Sequence, residues 1–598
     1  MDESPPTGSQ AGPSPGQPSL HSVPLRIVVV SDFGAAASSP RPIPVSKDNL
    51  KEVLKDCAVS VTVVVPNLLA TRPSELQFVI PLQALDDMTP KGLVEGIGDL
   101  AEVDSLCTAL NDYQEGNASA DDLRAAMEVC RPMDALAEPI ALCESVLTAG
   151  TAPPPRPSQS PGRSDGALDK ILDMVESTPA ERDAKDGGGA LDRVMGDIAS
   201  GARRPQRSQD LDRALKSIRR TLAEQVSAIL QHPRFQRVDA VWRGLHFLVR
   251  RTDFRAGIRV EALHATRDLL ADRFAEAVME PVLNGSDSVA PGLVLMDYPL
   301  RREPGEVEAL QAVAESAARL RVPVVCAVEP AFLGVDCGAD LGDLRYAGTL
   351  FEQPEYIKWN ALRGREAARW LAVACNRLLL REPYRAEQRH AAGLRESIDG
   401  EEDYLWGSPV WAVGALTAAS FARCGWPSEI SGSIAGQLDN LYMRPMPDHR
   451  SGSAPVEALP GADRIQDMAD VGLMSLAGQA NHDTAYLLRA PMLYGRPNAV
   501  GGPGRPEVSL PYQLAAARLN ELLAHNHAAL AAAAAGSDPE AALESVLAGL
   551  LGDTGPGAEV KVAVRGDGAG GVAVHISVHT GRGVLGGTGF EFELAFDA

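Results

Sequence analysis

Residue types that could do chemistry are present in this 598-residue chain, but not at the spacings that chemistry needs. His525 and His527 lie in an Ala-rich helical stretch, where positions two apart point in different directions. Surface histidines are therefore expected there rather than a metal pair. His575 and His579 flank the end of a period-two run, with no Cys or carboxylate cluster beside them. Gly432-Ser-Ile-Ala-Gly436 comes nearest to a nucleophile elbow, and its Ser stands one place too early. Neither H-E-x-x-H nor the phosphate loop G-x-x-x-x-G-K-[ST] occurs. Glu401, Glu402 and Asp403 form an acidic run of the kind that is usually a solvated face. Asp32 and Asp297 each end a strand-like run, where the sites of α/β proteins gather, yet neither has a partner that the sequence names. The cysteines at 57, 107, 130, 143, 326, 337, 375 and 424 include no C-x-x-C pair and are expected to be scattered reduced thiols of a cytosolic protein. No catalytic residue, metal set or cofactor is expected.

Composition narrows the classes further. The chain is long enough for three or more ordinary domains, with 45% hydrophobic and 23% charged residues as in soluble globular proteins. Its 55 Gly and 44 Pro point to generous loops and linkers. A net charge of −23 argues against a nucleic-acid binder, which needs a basic face, although Arg-rich runs occur at 202–220 and 363–385. The first twenty residues carry no secretory pattern, and no apolar run approaches the roughly 20 residues that span a bilayer. A cytoplasmic protein with no direct membrane insertion is expected.

The elements that would carry these residues follow in order. Residues 1–22 are polar and Pro-rich and are expected to be a disordered tail. Strands at 24–31, 59–65 and 76–82, with helices at 47–57 and 90–110, form a small α/β unit over 23–150. Residues 151–207 are expected as a linker holding one short amphipathic helix, 167–176, with Leu168, Ile171, Leu172 and Val175 on one face. Such a helix either packs back on its own protein or is a ligand for a groove on another. From 208 to 598 runs a second region. A helical hairpin, 209–230 and 233–251, turns at Pro233, with Trp242 and Leu245 in the apolar stripe of the second helix and Asp239 and Arg243 opposite. Strands at 258–263, 292–297 and 322–328 alternate with helices near 266–281 and 304–319, which predicts a mostly parallel βαβ sheet. His264-Ala-Thr follows the first of these strands in place of a Gly-rich cradle. Aromatics crowd the stretch from Trp359 to Trp426; Trp406 and Trp426 are expected in the core, while Arg363 and Arg381 fit either core or interface. After an Ala-rich helix, period-two runs at 560–564, 572–578 and 590–596 predict a small C-terminal β-sheet, with a turn at 565–571.

Two stretches of wording are more specific than these patterns. HPRFQRVDAVWRGLHFLV, with Phe235, Trp242, Arg243, Gly244 and Leu245, closely resembles the opening of the large subunit (TssC) of the type VI secretion contractile sheath. Asp239 stands where that family usually has Glu. Trp359 with Leu362-Arg363, Arg381-Glu-Pro383-Tyr384, Tyr404-Leu-Trp406 and Gly425-Trp426 extend the likeness. Upstream, PLRIVVVSDFGA, RPIPVSKDNLKEVL and FVIPLQALDDMTPKGL resemble the small sheath subunit (TssB), with Met88 in place of a Phe.

The resemblance implies a small-plus-large fusion that works as a brick rather than a catalyst. It would form a helical homopolymer around an inner tube protein, on baseplate proteins, and contract to drive that tube outward. It further implies that strands carrying Ile27, Val29, Val574, Ile576, Phe590, Phe592 and Leu594 are shared between protomers, and that the 167–176 helix is gripped by a ClpV-type AAA+ ATPase. An enzyme built on the central sheet near Asp297, or a non-contractile adaptor recruiting such an ATPase, are the other classes the sequence allows.

Overall fold

A computed structural model describes residues 23–35, 41–151, 188–284, 290–344, 347–446, 452–495, 508–551, 559–566, 572–579 and 589–596. The tail 1–22 and the helix expected at 167–176, with Leu168, Ile171, Leu172 and Val175, lie outside them.

The first strand, β1 (Leu25–Ser31), is buried along its whole length. A β-branched run with no polar alternation suits a strand covered on both faces, and β1 is an interior strand of the largest sheet. The short β2 (Ile43–Val45) follows it, and then β3 (Val59–Pro66) and β4 (Glu75–Leu82), which form a hairpin of their own. In β3 the valines at 59, 61, 63 and 65 are buried and the residues between them mostly exposed, a one-faced pattern unlike that of β1. Short helices at Leu50–Asp56 and Pro90–Gly96 and three longer ones, α1 (Gly98–Glu115), α2 (Ala120–Cys130) and α3 (Ala137–Thr151), complete this part.

The hairpin helices are α4 (Gly188–Leu230) and α5 (Pro233–Arg251). The helix α4 begins inside the stretch 151–207 expected as linker. Gly and Pro within a sequence are a weak guide to helix ends once a long helix is nucleated downstream. Strands β5 (Ile258–His264), β6 (Leu293–Leu300) and β7 (Val324–Val328) come next, with α6 (Pro304–Leu320) between the last two. They are followed by β8 (Leu371–Cys375), β9 (Leu378–Leu379), β10 (Trp406–Gly407) and α7 (Val410–Cys424). Then come β11 (Gln437–Leu438), β12 (Arg444–Pro445), β13 (Ser453–Ala454), β14 (Leu473–Gly478) and β15 (Ala485–Leu487). The chain closes with α8 (Leu510–His525), α9 (His527–Ala534), α10 (Pro539–Leu551), β16 (Glu559–Gly566), β17 (Val572–His579) and β18 (Gly589–Phe596).

The nine-stranded sheet has the order β11-β15-β14-β8-β7-β6-β1-β5-β2. Strands β5, β1, β6, β7, β8 and β14 run parallel, and the sheet is antiparallel only at its margins. The architecture is α/β with a mostly parallel central sheet, as the alternation of patterns predicted. The sheet does not respect the sequence boundary, however: β1 lies between β5 and β6, with Ile27 opposite both Val260 and Leu293. The α/β unit expected over 23–150 thus contributes β1 and β2 to the large sheet. Alternation along β1 sends Leu25, Ile27 and Val29 into one core, shared with α5 and α7, and Val28 and Val30 into another, shared with α6.

Candidate assembly surfaces and the polar network behind them

The polar groups of the helical hairpin hold elements together. His232 caps α5, its Nδ1 accepting from the Arg234 N–H, and Pro233 occupies the first turn, where its missing donor costs nothing. Phe235, Trp242 and Leu245 are buried on α5. The Trp242 indole donates to the Phe33 carbonyl at 3.0 Å and meets the Phe33 ring edge-on, fixing the end of β1 to the hairpin. Gly244 is required by packing: a methyl group there would overlap the Trp411 indole of α7.

The side of α5 expected to be polar is not a solvated face. Asp239 is buried and accepts from Arg243 at 2.6 Å, while Arg243 donates to the Tyr384 hydroxyl at 3.1 Å. Arg381 makes two bonds to Glu396, at 2.6 and 3.0 Å, stacks over the Tyr384 ring and lies 3.8 Å from Asp239. Burial alone would lower the Arg381 pKa, but Glu396, with Tyr384 and Asp239, holds it above its ordinary value, so the guanidinium stays charged. Pro383 is half-buried in the turn between these partners. Arg381 therefore belongs to the core, and the family-motif residues of α5 and of the 381–384 turn form one network.

A second network surrounds Trp406. Arg444 lies over the Trp406 and Tyr404 rings, pairs with Glu401 at 3.0 Å and donates to the Glu457 carbonyl. Arg377 pairs with Glu402 and Glu457. Asp403 accepts from the N–H groups of Asp399 and Gly400. The acidic run thus supplies partners for buried Arg444 and half-buried Arg377 and a turn cap. Gly425 ends α7 in the left-handed conformation, and Trp426 packs against Val23, α8 and the terminal sheet. Nothing in the sequence spacing singles out Trp411, Arg444, Glu457 or Glu396, whose partners are distant along the chain.

Asp297 does find a partner. Its carboxylate takes a 3.2 Å contact from Arg237, and its carbonyl accepts from Ser31. A cavity of about 390 Å³ opens nearby, lined by Arg237, Glu329, Arg377, Glu402, Tyr404 and Trp406. Both of its arginines are already neutralised by carboxylates. Burial pushes the thiols of Cys107, Cys326 and Cys375 up to about 12, and those of Cys130 and Cys143 up to about 11, so none is poised as a nucleophile. His525 and His527 are exposed on either side of the α8–α9 break, and His575 and His579 lie on the exposed face of β17. Among the described residues no group of three His, Cys, Asp or Glu side chains is placed to hold a metal, and no helix is long and apolar enough to cross a membrane.

The strands expected to be shared divide by position. Ile27 and Val29 sit on β1, whose two edges are both taken by strands of the same chain, so in this fold they offer a neighbour no backbone edge. A similar placement holds for Val574 and Ile576: β17 is the middle strand of the terminal sheet, and both side chains are buried under α8–α10. Phe590, Phe592 and Leu594 lie on β18, a margin of that sheet. The Phe590 ring stacks on Tyr512 of α8 at 4.6 Å.

Across the two sequence halves the contacts are extensive. Arg26 pairs with Glu261 at 2.8 Å, the Phe33 N–H donates to His264 Nδ1, and buried Gln225 bridges the Leu68 N–H and the Pro66 carbonyl. Polar groups thus join elements across the chain, and marginal strands lie at one end of it. Residues 15–135 match the family described as "Type VI secretion system, VipA, VC_A0107 or Hcp2". Residues 212–281 and 284–493 match VipB, described as "EvpB/VC_A0108, tail sheath N-terminal domain". The type VI secretion system sheath protein TssC1 of Pseudomonas aeruginosa is 27% identical over 328 residues, which cover 50% of this chain and 66% of that protein, just under two thirds of its length. The two matches place a small-subunit sheath family first in the chain and a large-subunit sheath family second, in keeping with a fusion of the two.

Proposed function

We propose that this chain is a fused protomer of a type VI contractile sheath. Copies polymerise by heterologous, non-closing contacts into a helical tube around an inner tube protein, seated on baseplate proteins. Extended and contracted tubes are two packings of the same protomer, and the difference in free energy between them drives the inner tube outward. The work is mechanical, carried out in the cytoplasm, with no substrate turned over and no nucleic acid bound. The observation that carries this reading is the presence of both sheath families in one chain, with β1 of the first part inside the sheet of the second. Each protomer then moves as one body, and lattice change falls on contacts between protomers. Fusion also fixes the two parts at equal number. Leu168, Ile171, Leu172 and Val175 are proposed as anchors for a ClpV-type AAA+ ATPase that recycles the contracted tube.

Joining of copies is assigned to the outer edge of β18, a role for which backbone ladder bonds are suited because they resist tension along a filament. Negative-stain imaging tests this. Wild-type protein should form tubes, and deletion of residues 585–598 should abolish them. Glu591→Pro is the milder variant, since an edge proline removes a donor while the ladder to β17 stays. It should also prevent tubes while leaving the circular dichroism of the protomer unchanged. Normal tubes from both variants would count against strand sharing at β18.

A further inference from the structure

We propose that Glu540 and Glu544 close the outer edge of β16, so that strands of a second copy of this chain add to the terminal sheet at β18 alone. The joining of copies rests on the sheath reading above; the closure stands on the geometry of this chain.

The terminal sheet has two marginal strands, β16 and β18, flanking β17. A marginal strand is a template for another chain unless something covers it. On β16, the Val562 N–H donates to a Glu544 carboxylate oxygen at 3.3 Å, and the Val564 N–H donates to Glu540 at 3.1 Å. Both carboxylates come from α10, which runs antiparallel to β16. Glu540 and Glu544 are one turn apart, a rise of about 6 Å, and Val562 and Val564 are two strand residues apart, about 7 Å. The match lets one helix face serve two successive outward donors. In an antiparallel ladder N–H groups alternate between the two sides, so these are donors that β17 cannot use. An ionised carboxylate only accepts. An incoming strand needs donors and acceptors in alternation, and it would have to displace both side chains to pair here.

The same alternation, carried through the registers Lys561 to Ser577 and Val578 to Phe590, points the N–H groups of Glu591, Glu593 and Ala595 away from β17. Among the described residues no strand pairs with that side. One closed and one open margin make growth one-sided. Each copy then accepts one incoming strand, as a helical polymer requires, instead of two, which would branch it.

Amide hydrogen exchange followed by mass spectrometry, together with negative-stain imaging, tests the inference on the full chain. In the Glu540→Ala/Glu544→Ala variant, exchange at Val562 and Val564 should speed up by about tenfold or more relative to wild type, the effect of losing charged acceptors. Glu540→Gln/Glu544→Gln retains a carbonyl oxygen at each position and should restore most of the protection. In images, the Ala variant should give branched or laterally fused assemblies, and wild type and the Gln variant uniform tubes. Unchanged exchange in the Ala variant overturns the closure. Faster exchange with tubes identical to wild type overturns its role in directing growth. If wild type stays monomeric at every concentration, the sheath reading fails. The closure is then judged by exchange, and by whether the Ala variant alone associates.

Discussion

Asp239 is almost fully buried between two arginines, and its short side chain reaches Arg243 directly and Arg381 at longer range. Removing one partner from a buried charged group leaves the others without compensation, at a cost of about 3–5 kcal/mol. Asp239→Ala should therefore lower the thermal midpoint and the soluble yield more than any surface change. A midpoint within a degree of wild type would show that the network relaxes or hydrates. Gly244 makes a different point. Its place in the Trp-Arg-Gly-Leu motif is set by the Trp411 ring across the α5–α7 crossing. Gly244→Ala should destabilise by about 1–3 kcal/mol, the usual cost of overpacking, even though alanine is the better helix former. Urea unfolding monitored by tryptophan fluorescence checks both.

At the scale of elements, α8 ties the C-terminal region to the start of the first strand. Arg518 donates to the Val23 carbonyl and pairs with Glu521 at 2.8 Å, all of it buried. Burial raises the Glu521 carboxyl to about 7, with Arg518 opposing the shift incompletely. An acid whose folded pKa is raised holds its proton longer in the folded than in the unfolded state. Stability contributed at this site is therefore fully present below the ordinary carboxylate range of about 4.3, and it falls as the pH rises towards about 7. Docking of α8 should be tighter at pH 5 than at pH 8. In Glu521→Gln the part of the pH dependence that distinguishes it from wild type should vanish. Hydrogen exchange of α8 at the two pH values, in both proteins, reads this directly; equal pH responses would dismiss Glu521 as its source.

For the whole molecule the decisive feature is β1 lying between β5 and β6. Its apolar side chains fill the cores on both faces of the sheet, so the second part of the chain cannot close its sheet without it. Two consequences follow. Chains divided within residues 152–187 and expressed together should co-elute as one complex on size exclusion, because the sheet rather than the covalent link joins them. Expressed alone, the second part should be insoluble or strongly associating, through the gap left between β5 and β6. A soluble, monomeric second part would contradict this account.

Local order was written into the sequence. The apolar run of β1, the 3.6-residue stripe of α5, the parallel alternation from 258 to 328 and the three period-two runs at the end each specify an element, because periodicity reflects which side of an element meets the core. The motif wording pointed to the sheath families for the same chain. Tertiary structure decided which elements are neighbours. Period cannot tell β1 that its partners lie more than two hundred residues away, nor that Glu396 and Tyr384 turn the polar side of α5 into a buried network. Which margin of the terminal sheet is capped by a helix, and which is left unpaired among the described residues, is likewise set by packing, since a hydrogen bond between distant residues leaves no trace in spacing.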